Sequence, residues 1–315
     1  MKFNNRYSVV FNDDISDYRE NFTTYLYNSP EFIMLKEGYQ PVYCQLLDHR
    51  EKKILVRAVF LCDGDTAVSL PQTPFGGIFY HHVSIDGVKS FILELIKYFT
   101  SRHFKKIVIK NPADIYNPGQ NAILTNCLVN AGFLITNYDI NHHIKVDQSG
   151  FSAKIHKMEN RKLNASIKQN FSFQEITGSK IVEVYNFIRA CRHEKKVNMN
   201  ITFDQLNKAV KKFPERYKFF MAVSQGKIAA ATVAVFVHDS ILYNYLPASP
   251  VVYNRLSPMV FLLEGLYKYC QAKSVKILDL GISTLNNKPQ ESLILFKERV
   301  GGEATLKLTF MLDCF

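Results

Sequence analysis

The sequence contains no tryptophan, and it lacks the common signatures of nucleotide, zinc-hydrolase and covalent-nucleophile sites. It has no CxxC pair, no HExxH, no GxSxG, no Walker loop and no GxGxxG after a predicted strand. These absences disfavour hydrolases, P-loop proteins and Rossmann enzymes. The pairs His81-His82 and His142-His143 have no carboxylate or cysteine at ligand spacing, so we expect no metal site.

Long apolar segments are also missing. The longest apolar run, residues 228–237, has about half the length of a membrane span, and the N-terminus has no apolar core of the length that a secretory signal needs. The six cysteines are scattered, as is typical of core thiols in a reducing compartment. We therefore predict a cytoplasmic protein without a membrane span.

Positive charge is concentrated in one stretch. The formal net charge is +11, and residues 152–218 carry 15 Lys and Arg against 6 Asp and Glu. Such a local excess attracts phosphate groups. The alternative is a solubilising surface, because basic helix faces are common in proteins that bind no polyanion. If the stretch binds a polyanion, six of its cations should include residues on one basic surface facing a groove: Arg161, Lys162, Arg189, Arg192, Lys195 and Lys196.

Hydrophobic periodicity predicts the same order of elements twice. In each half three strands precede a helix, a buried strand, a second helix and a closing strand. In the first half these are residues 42–47, 54–62, 66–70, 88–102, 106–110, 121–131 and 134–146, the last predicted to be broken. In the second half they are residues 219–224, 228–237, 240–246, 258–272, 275–280, 290–300 and 305–312.

Equivalent elements lie roughly 170 to 176 positions apart, which indicates an internal duplication. We predict an α/β (α+β) protein with an N-terminal domain over residues 1–150, a basic linker helix over 151–170 and a C-terminal domain over 171–315. Each domain should be a mixed sheet flanked by helices. One large α/β domain is the alternative. Ser-Pro pairs at Ser29 and Ser257 predict helix N-caps, and Gly301-Gly302 predicts the end of the last helix.

Short motifs follow the strands of the second half. Tyr243-Asn244-Tyr245 lies in one strand, Asp279-Leu280-Gly281 ends the next, and Phe296-Lys297 precedes Gly301-Gly302. The strand ends of α/β proteins commonly bind ligands, so these motifs should line one crevice. Each also has a purely structural interpretation, as core aromatics, a loop cap and a surface lysine.

These motifs, with Arg161-Lys162, Pro74-Phe75-Gly76-Gly77 and the two-domain plan, resemble FemAB-like aminoacyltransferases of the GNAT superfamily. The resemblance extends over nearly the whole chain. It implies transfer of an acyl or aminoacyl group from an activated ester, on tRNA or coenzyme A, to an amine. It also implies that Lys297 stabilises the oxyanion. An early Lys four residues after an aromatic residue holds acceptor phosphates in that family, and Phe32 and Lys36 have this spacing, although Trp is the usual aromatic.

We assign catalysis to Lys297, Asp279 and Tyr245, and the base is left open between Asp279, a Tyr and a phosphate of the substrate. Substrate binding is assigned to a wider set: Lys36, Phe75, Gly76, Arg161, Asn254, Ser257, Ser283 and Phe296. Positioning of two reactants contributes roughly 7–11 kcal/mol to such a reaction and each oxyanion donor about 3–4 kcal/mol, so no covalent nucleophile is needed.

The sequence leaves the donor open. The loop 252–258 lacks the Gly-rich turn that receives the pyrophosphate of coenzyme A, which disfavours an acyl-CoA donor. Asn254, Arg255 and Ser257 could still hold a phosphate. The helical hairpin that grips tRNA in many FemAB enzymes is absent too. The expected acceptor is a small-molecule or nucleotide-linked amine, such as a cell-envelope precursor.

Two functions of other classes stay open. A non-catalytic RNA-binding module would use the basic surface of residues 152–218, with strongly salt-dependent binding and no ester consumption. A pseudoenzyme that binds a protein partner would show neither property.

Overall fold

The computed structural model of the protein describes residues 6–20, 22 and 24–314. Two compact units share the chain. One comprises the residues up to Asp139 together with those from Thr305 onward, and the other comprises Ile140–Ala304. Over the described ranges, no helix is both long enough and apolar enough to cross a membrane.

The first half of the chain alternates strands with two long helices. Its elements are β1 (Tyr7–Phe11), β2 (Arg19–Glu20), α1 (Pro30–Ile33), β3 (Pro41–Asp48), β4 (Lys53–Asp63), β5 (Thr66–Val68), β6 (Ile78–Tyr80), α2 (Ile85–Ser101), β7 (Lys106–Lys110), α3 (Pro118–Asn130) and β8 (Leu134–Lys145). The break that the sequence predicts in the closing strand is wrong, because β8 is continuous.

Helix α2 shows how periodicity builds the first core. Ser84 caps its N-terminus by accepting a hydrogen bond from the Gly87 N–H. The apolar side chains recur at helical spacing and are buried on one face against the strands. They are Val88, Phe91, Ile92, Leu95 and Phe99, in one cluster with Phe60 and Ile107.

The second half repeats this arrangement after a helical connection. Its elements are α4 (Phe151–Lys154), α5 (Lys157–Lys168), β9 (Ser172–Ile176), α6 (Ile181–Glu194), α7 (Phe203–Lys212), β10 (Tyr217–Ser224), β11 (Lys227–His238), β12 (Ile241–Asn244), α8 (Pro258–Ala272), β13 (Ile277–Ile282), β14 (Thr284–Leu285), β15 (Lys288–Pro289), α9 (Glu291–Arg299) and β16 (Glu303–Asp313). The predicted linker helix is therefore two helices, interrupted at Ile155, whose backbone is extended.

The strand order is the same in both halves. One order is β3-β4-β5-β7 and the other is β10-β11-β12-β13. The first three strands are antiparallel in each case, and the fourth is parallel to the third. This identity confirms the predicted mixed-sheet fold class and agrees with an internal duplication.

The closing strands are exchanged between the halves. β16, from the end of the second half, pairs antiparallel with β7, and β8, from the end of the first half, pairs antiparallel with β13. Because of this exchange, the boundaries of the compact units lie near residues 139 and 304 and differ from the ends of the two sequence repeats. The domain division at residues 150 and 170 stays a prediction.

Candidate functional site

A crevice opens where β12 and β13 separate. The two strands pair in parallel up to Tyr243 and Asp279. The chain after β12 then turns towards β11, since the Tyr245 N–H donates to the Val233 carbonyl, whereas β13 continues beside β8. The two strands therefore separate beyond Tyr243 and Asp279, which is the position of the predicted crevice.

Lys297 lies at this strand end with its ammonium buried. The residue is only 6% exposed, and its Nζ donates 2.8 Å hydrogen bonds to the carbonyls of Gly281 and Ile282. An ammonium has three N–H donors, so one remains for another acceptor. Burial lowers the pKa of Lys297 to about 8, and the nearby Asp279 carboxylate opposes this shift. The alternative interpretation of Lys297 from the sequence, an exposed surface lysine, is therefore wrong.

Asp279 fixes the turn that presents one of these carbonyls. Its Oδ1 accepts hydrogen bonds from the Gly281 N–H at 2.7 Å and from Asn141 Nδ2 at 2.9 Å. Gly281 has a φ of +74°, a conformation that favours glycine, and a Cβ there would lie 3.2 Å from Cε2 of Tyr243. Asp279 is 4% exposed. One oxygen of Asp279 therefore positions the turn, and its role as a base stays a prediction.

Two tyrosines and an arginine lie at the other side of the gap. The rings of Tyr243 and Tyr245 are 5.7 Å apart, and burial raises the pKa of both. Both phenols are consequently neutral donors near pH 7. Arg192, on α6, has a lowered pKa because of burial, and its charge acts on both tyrosines. Its Nε has no hydrogen-bond partner within the described part of the chain.

His142 and Ser283 form a buried pair near Lys297. Ser283 Oγ lies 2.9 Å from His142 Nδ1, and both residues are fully buried. Burial, followed by the charge of Lys297, lowers the pKa of His142 to about 4, so the imidazole is neutral at pH 7. Ser283 therefore lies in the same polar cluster as Lys297. Among the described residues, no group of His, Cys, Asp or Glu could hold a metal ion.

The loop before α8 differs from the prediction. Ser257 has φ 46° and ψ 56°, and its hydroxyl donates to the Asn254 carbonyl instead of capping the helix. Ser257 is thus at the predicted N-cap position, with Pro258 in the first turn, but its side chain makes no capping hydrogen bond. At Ser29 the capping bond is present, because Oγ accepts from the Phe32 N–H. Asn254 and Arg255 are exposed in this loop. Their predicted contact with a donor phosphate remains a prediction.

Three predicted binding residues lie in the other compact unit. Phe75 is 2% exposed and packs between aromatic rings, including Tyr25 and Tyr116. Gly76 passes so close to Ser69 that a Cβ would lie 2.3 Å from the Ser69 carbonyl oxygen, which explains the need for glycine. Both positions therefore have a structural reason.

Lys36 is partly buried in that same unit. Its Nζ donates to the Gln72 carbonyl at 3.2 Å and lies over the Phe32 ring, with 5.6 Å between Nζ and the ring centroid. Burial, with a smaller contribution from the charge of Lys110, lowers the pKa of Lys36 to about 8. Two partly buried cations near each other favour an anion, as the predicted phosphate role requires.

The basic stretch is less uniform than its composition suggests. Arg161, Arg189, Lys195 and Lys196 are exposed. Lys162, by contrast, pairs with the buried Glu159. Three more of its cations also pair with carboxylates: Lys154 with Asp147, Arg216 with Asp239 and Lys218 with Glu215. Arg192 faces the tyrosines, so it does not belong to one exposed basic surface.

The structure thus brings together Lys297, Asp279 and Ser283, and it places Tyr245 beside Tyr243, whose ring borders Gly281. Phe296 packs beside them against the core of the second half. The sequence placed Tyr243 in a motif expected to line the crevice but gave it no role, and it did not assign Asn141 or His142 to the site. Asn141 and His142 reach the site only because β8 pairs with β13.

No family model matches the sequence, and no curated protein matches it. Solved structures are similar to it in fold. FemX superposes with a TM-score of 0.69 at 9% identity, covering 92% of each chain. L-PGS from Bacillus licheniformis gives 0.56 at 12% identity, covering 81% of this chain and 80% of that one. A tandem GNAT protein from the clavulanic acid biosynthesis pathway gives 0.52 at 10% identity, covering 89% and 84%. The chain therefore shares its fold with FemX and with the tandem GNAT protein.

Proposed function

We propose that this protein is an N-acyltransferase that transfers an acyl or aminoacyl group from an activated ester to an amine, in the crevice between β12 and β13. The observation that carries this proposal is the buried ammonium of Lys297. Two backbone carbonyls fix it at the strand end, and one N–H remains to bind an oxygen that becomes negative.

The proposed reaction needs positioning and one charge-stabilising donor. The acceptor nitrogen attacks the ester carbonyl, a C–N bond forms, and the carbonyl oxygen becomes an oxyanion. Lys297 Nζ donates to that oxyanion. The C–O bond of an ester, or the C–S bond of a thioester, then breaks, and the leaving group takes a proton equivalent to the one that the amine loses. Atoms and charges balance without a covalent enzyme intermediate.

The tyrosines suit donation better than proton abstraction. Because burial raises the pKa of Tyr243 and Tyr245, both phenols keep their protons near pH 7. They can therefore supply further donors beside Lys297. Asp279 is the carboxylate that we assign as the candidate base. Its Oδ1 already accepts hydrogen bonds from the Gly281 N–H and from Asn141 Nδ2. We assign it first to holding the turn and second to the proton.

Arg192 supports an anionic substrate at the tyrosine side. No ion pair joins it to a carboxylate within the described residues, and its Nε has no acceptor. A partly buried guanidinium without a counter-ion is costly unless a ligand supplies the anion. A phosphate or carboxylate of the donor or acceptor fits this requirement. We therefore assign Arg192 to substrate binding.

The donor is one of two chemical classes, aminoacyl-tRNA or acyl-CoA. The names of the similar structures include both FemX and GNAT proteins, so the fold is compatible with either class. The loop at Asn254 and Ser257 has no Gly-rich turn, which favours aminoacyl-tRNA. The RNA-binding module receives less support, since Arg192 faces inward and four other cations of the basic stretch pair with carboxylates.

The direct test is a single-turnover assay with the purified full chain. Charged tRNA and acyl-CoA mixtures are supplied in separate reactions with a panel of amines, and amide products are identified by mass spectrometry. We expect enzyme-dependent amide formation with one donor class. Ester stability equal to that of the enzyme-free control, over all donors and amines, would contradict the proposal.

A further inference from the structure

Three exposed valines lie on two connected segments of the second compact unit. Val251 and Val252 belong to the loop after β12, and Val197 follows the end of α6. All three side chains are exposed, and Val252 is 80% exposed. The Glu194 carboxylate joins the two segments, because its Oε2 accepts a 3.0 Å hydrogen bond from the Val251 N–H. The valines therefore lie close to the last turn of α6.

The end of α6 has a fixed backbone. The Lys196 N–H donates to the His193 carbonyl at 3.0 Å, and the Val197 N–H donates to the Arg192 carbonyl at 2.9 Å. This is the pattern of a Schellman motif, in which the residue at the Val197 position commonly packs back against the helix. Val197 is instead half exposed. Its side chain is consequently available to a partner outside the chain.

Cations accompany these valines. Lys195 and Lys196 directly precede Val197, and Arg255 comes three residues after Val252; all three cations are exposed. Residues 195–201 and 250–257 contain no Asp or Glu, so the carboxylate of Glu194 is the negative charge next to them in the sequence. The surface therefore carries an excess of positive charge. We call it the valine patch: Val197, Val251 and Val252 with Lys195, Lys196 and Arg255.

A second exposed apolar loop leaves the sheet at the same end. β12 and β13 are parallel neighbours, so the segments that follow them start from one edge of the sheet. After β12 the Ala248 N–H still donates to the Ala231 carbonyl of β11 at 2.9 Å, so the chain continues in the same direction before it reaches Val251. After β13, Leu285 precedes the turn of the β14–β15 hairpin and is 63% exposed.

Aliphatic side chains beside cations match the chemistry of an anionic bilayer. Its surface offers lipid phosphates to the cations and acyl chains to the apolar side chains. RNA offers phosphates too, but a valine supplies no ring on which a base could stack. The core of a protein interface is depleted of charged residues, whereas here cations adjoin the valines in the sequence. The composition of the valine patch therefore favours a lipid surface.

We infer that this end of the second compact unit docks on an anionic lipid membrane. The side chains of the valine patch and Leu285 enter the boundary between head groups and acyl chains, and the cations of the patch lie at the lipid phosphates. Binding of this kind is peripheral and reversible, and it requires no membrane span. It does not depend on the proposed acyl transfer, and its test uses neither a donor nor an acceptor.

The experiment is co-sedimentation of the full chain with vesicles. One vesicle preparation is phosphatidylcholine alone, and the other contains about 30 mol% phosphatidylglycerol, both at about 2 mM lipid and about 0.1 M salt. We expect roughly half or more of the protein to sediment with the anionic vesicles and little with the neutral ones. Each Lys or Arg near an anionic surface strengthens binding about fivefold.

A valine variant tests the apolar contribution. Val197→Ser with Val252→Ser should weaken binding to the anionic vesicles about fivefold or more, because apolar surface no longer leaves water on docking. Val182→Ser, the same change at an exposed valine near the start of α6, is the matched control and should bind like the wild type. The melting temperatures should change little, since all three positions are exposed.

A lysine variant tests the charge. Lys195→Gln with Lys196→Gln should weaken binding about tenfold or more. Lys211→Gln with Lys212→Gln removes the same charge from an exposed pair at the end of α7 and should retain the binding of the wild type. This control separates the valine patch from a general attraction between a basic protein and anionic lipid.

Four results would overturn the inference. The folded wild type fails to sediment with anionic vesicles at about 2 mM lipid, or both patch variants bind as well as their controls. Loss of binding in the lysine variant alone, with the valine variant unchanged, would leave only electrostatic attraction. Binding of bulk tRNA that the lysine variant loses, without any binding of vesicles, would assign the patch to RNA.

Discussion

The Nζ of Lys297 donates a 2.8 Å hydrogen bond to the carbonyl of Gly281, the residue whose left-handed backbone passes against Tyr243. This contact joins α9 to the end of β13 and holds a positive charge in a buried position. The backbone turn and the ammonium therefore form one unit, and a change in either should affect the other.

Burial of Lys297 should make stability depend on pH in the alkaline range. Its pKa is about 8 in the folded protein, against 10.5 for a lysine exposed to solvent in the unfolded chain, so between these values the unfolded chain binds more protons. Stability contributed by this group therefore rises with pH above about 8. Between pH 8 and 9.5 the gain should be about 1.5 kcal/mol. Urea unfolding at both pH values measures it.

Lys297→Met should lack this gain, and Lys288→Met, a matched change at an exposed lysine, should retain it. Comparison with the variants is needed because Lys36 also has a pKa of about 8 and contributes in the same direction. An identical pH dependence in wild type and Lys297→Met would contradict the burial of the charge.

The activity should fall as Lys297 loses its proton. With an acceptor amine that is already neutral at pH 7, kcat/KM should decrease above an apparent pKa of about 8, because the neutral amine is a weaker donor to the oxyanion. Initial rates between pH 6.5 and 9.5 measure the alkaline limb. A profile that stays level up to pH 9.5 would exclude a required ammonium at this position.

Gly281→Ala should damage both the fold and the site. The φ of +74° is unfavourable for alanine, and the new Cβ would lie 3.2 Å from the Tyr243 ring. We expect a loss of about 1–3 kcal/mol in the free energy of unfolding and weaker acyl transfer, because the turn presents its carbonyl to Lys297. Gly226→Ala, at a positive φ with open space, is the control for conformational strain alone. Equal effects of the two changes would show that the contact with Tyr243 is unimportant.

Arg192→Met should separate binding from stability. Losing a cation that no carboxylate pairs with should leave the melting temperature unchanged or slightly raised. The KM of the anionic substrate should rise about tenfold or more, since a charge-assisted contact is lost. Arg189→Met, on the exposed side of the same helix, is the control. A large loss of stability with unchanged KM would make Arg192 a structural residue.

Much of the fold could be predicted from periodicity, because each helix and strand buries one repeating face. Helix α8 begins and ends where the sequence predicts, and Gly301, with φ +84°, follows the end of α9. The exchange of the closing strands could not be predicted. Residues 134–145 and 303–313 would each pair antiparallel with a buried strand in either half, so their sequence pattern does not say which half they join. Pairing of β8 with β13 is what brings Asn141 to Asp279.

The residue types of the proposed site could be inferred from the sequence, whereas their surroundings could not. Asp279 and Tyr245 are chosen from motifs at strand ends and Lys297 from the resemblance to FemAB-like enzymes, and their roles stay predictions. Their burial could not be inferred, because the exposure of Lys297 depends on how α9 packs over β13. The half-buried position of Arg192 on α6 could not be predicted either, because a basic stretch gives no information on which cation faces the interior. The position of an Arg in the helical repeat does not distinguish a side chain that faces solvent from one that faces a crevice.

The most direct measurement is single-turnover acyl transfer by Lys297→Met beside Lys288→Met and the wild type, with thermal melts of all three. Removing the ammonium leaves the carbonyls of Gly281 and Ile282 without this donor but also removes a buried charge, so the stability should change little. We expect the transfer rate of Lys297→Met to fall roughly 100-fold to 1000-fold, with Lys288→Met at the wild-type rate. Transfer by a folded Lys297→Met variant at the wild-type rate would contradict the role of Lys297 as the oxyanion donor.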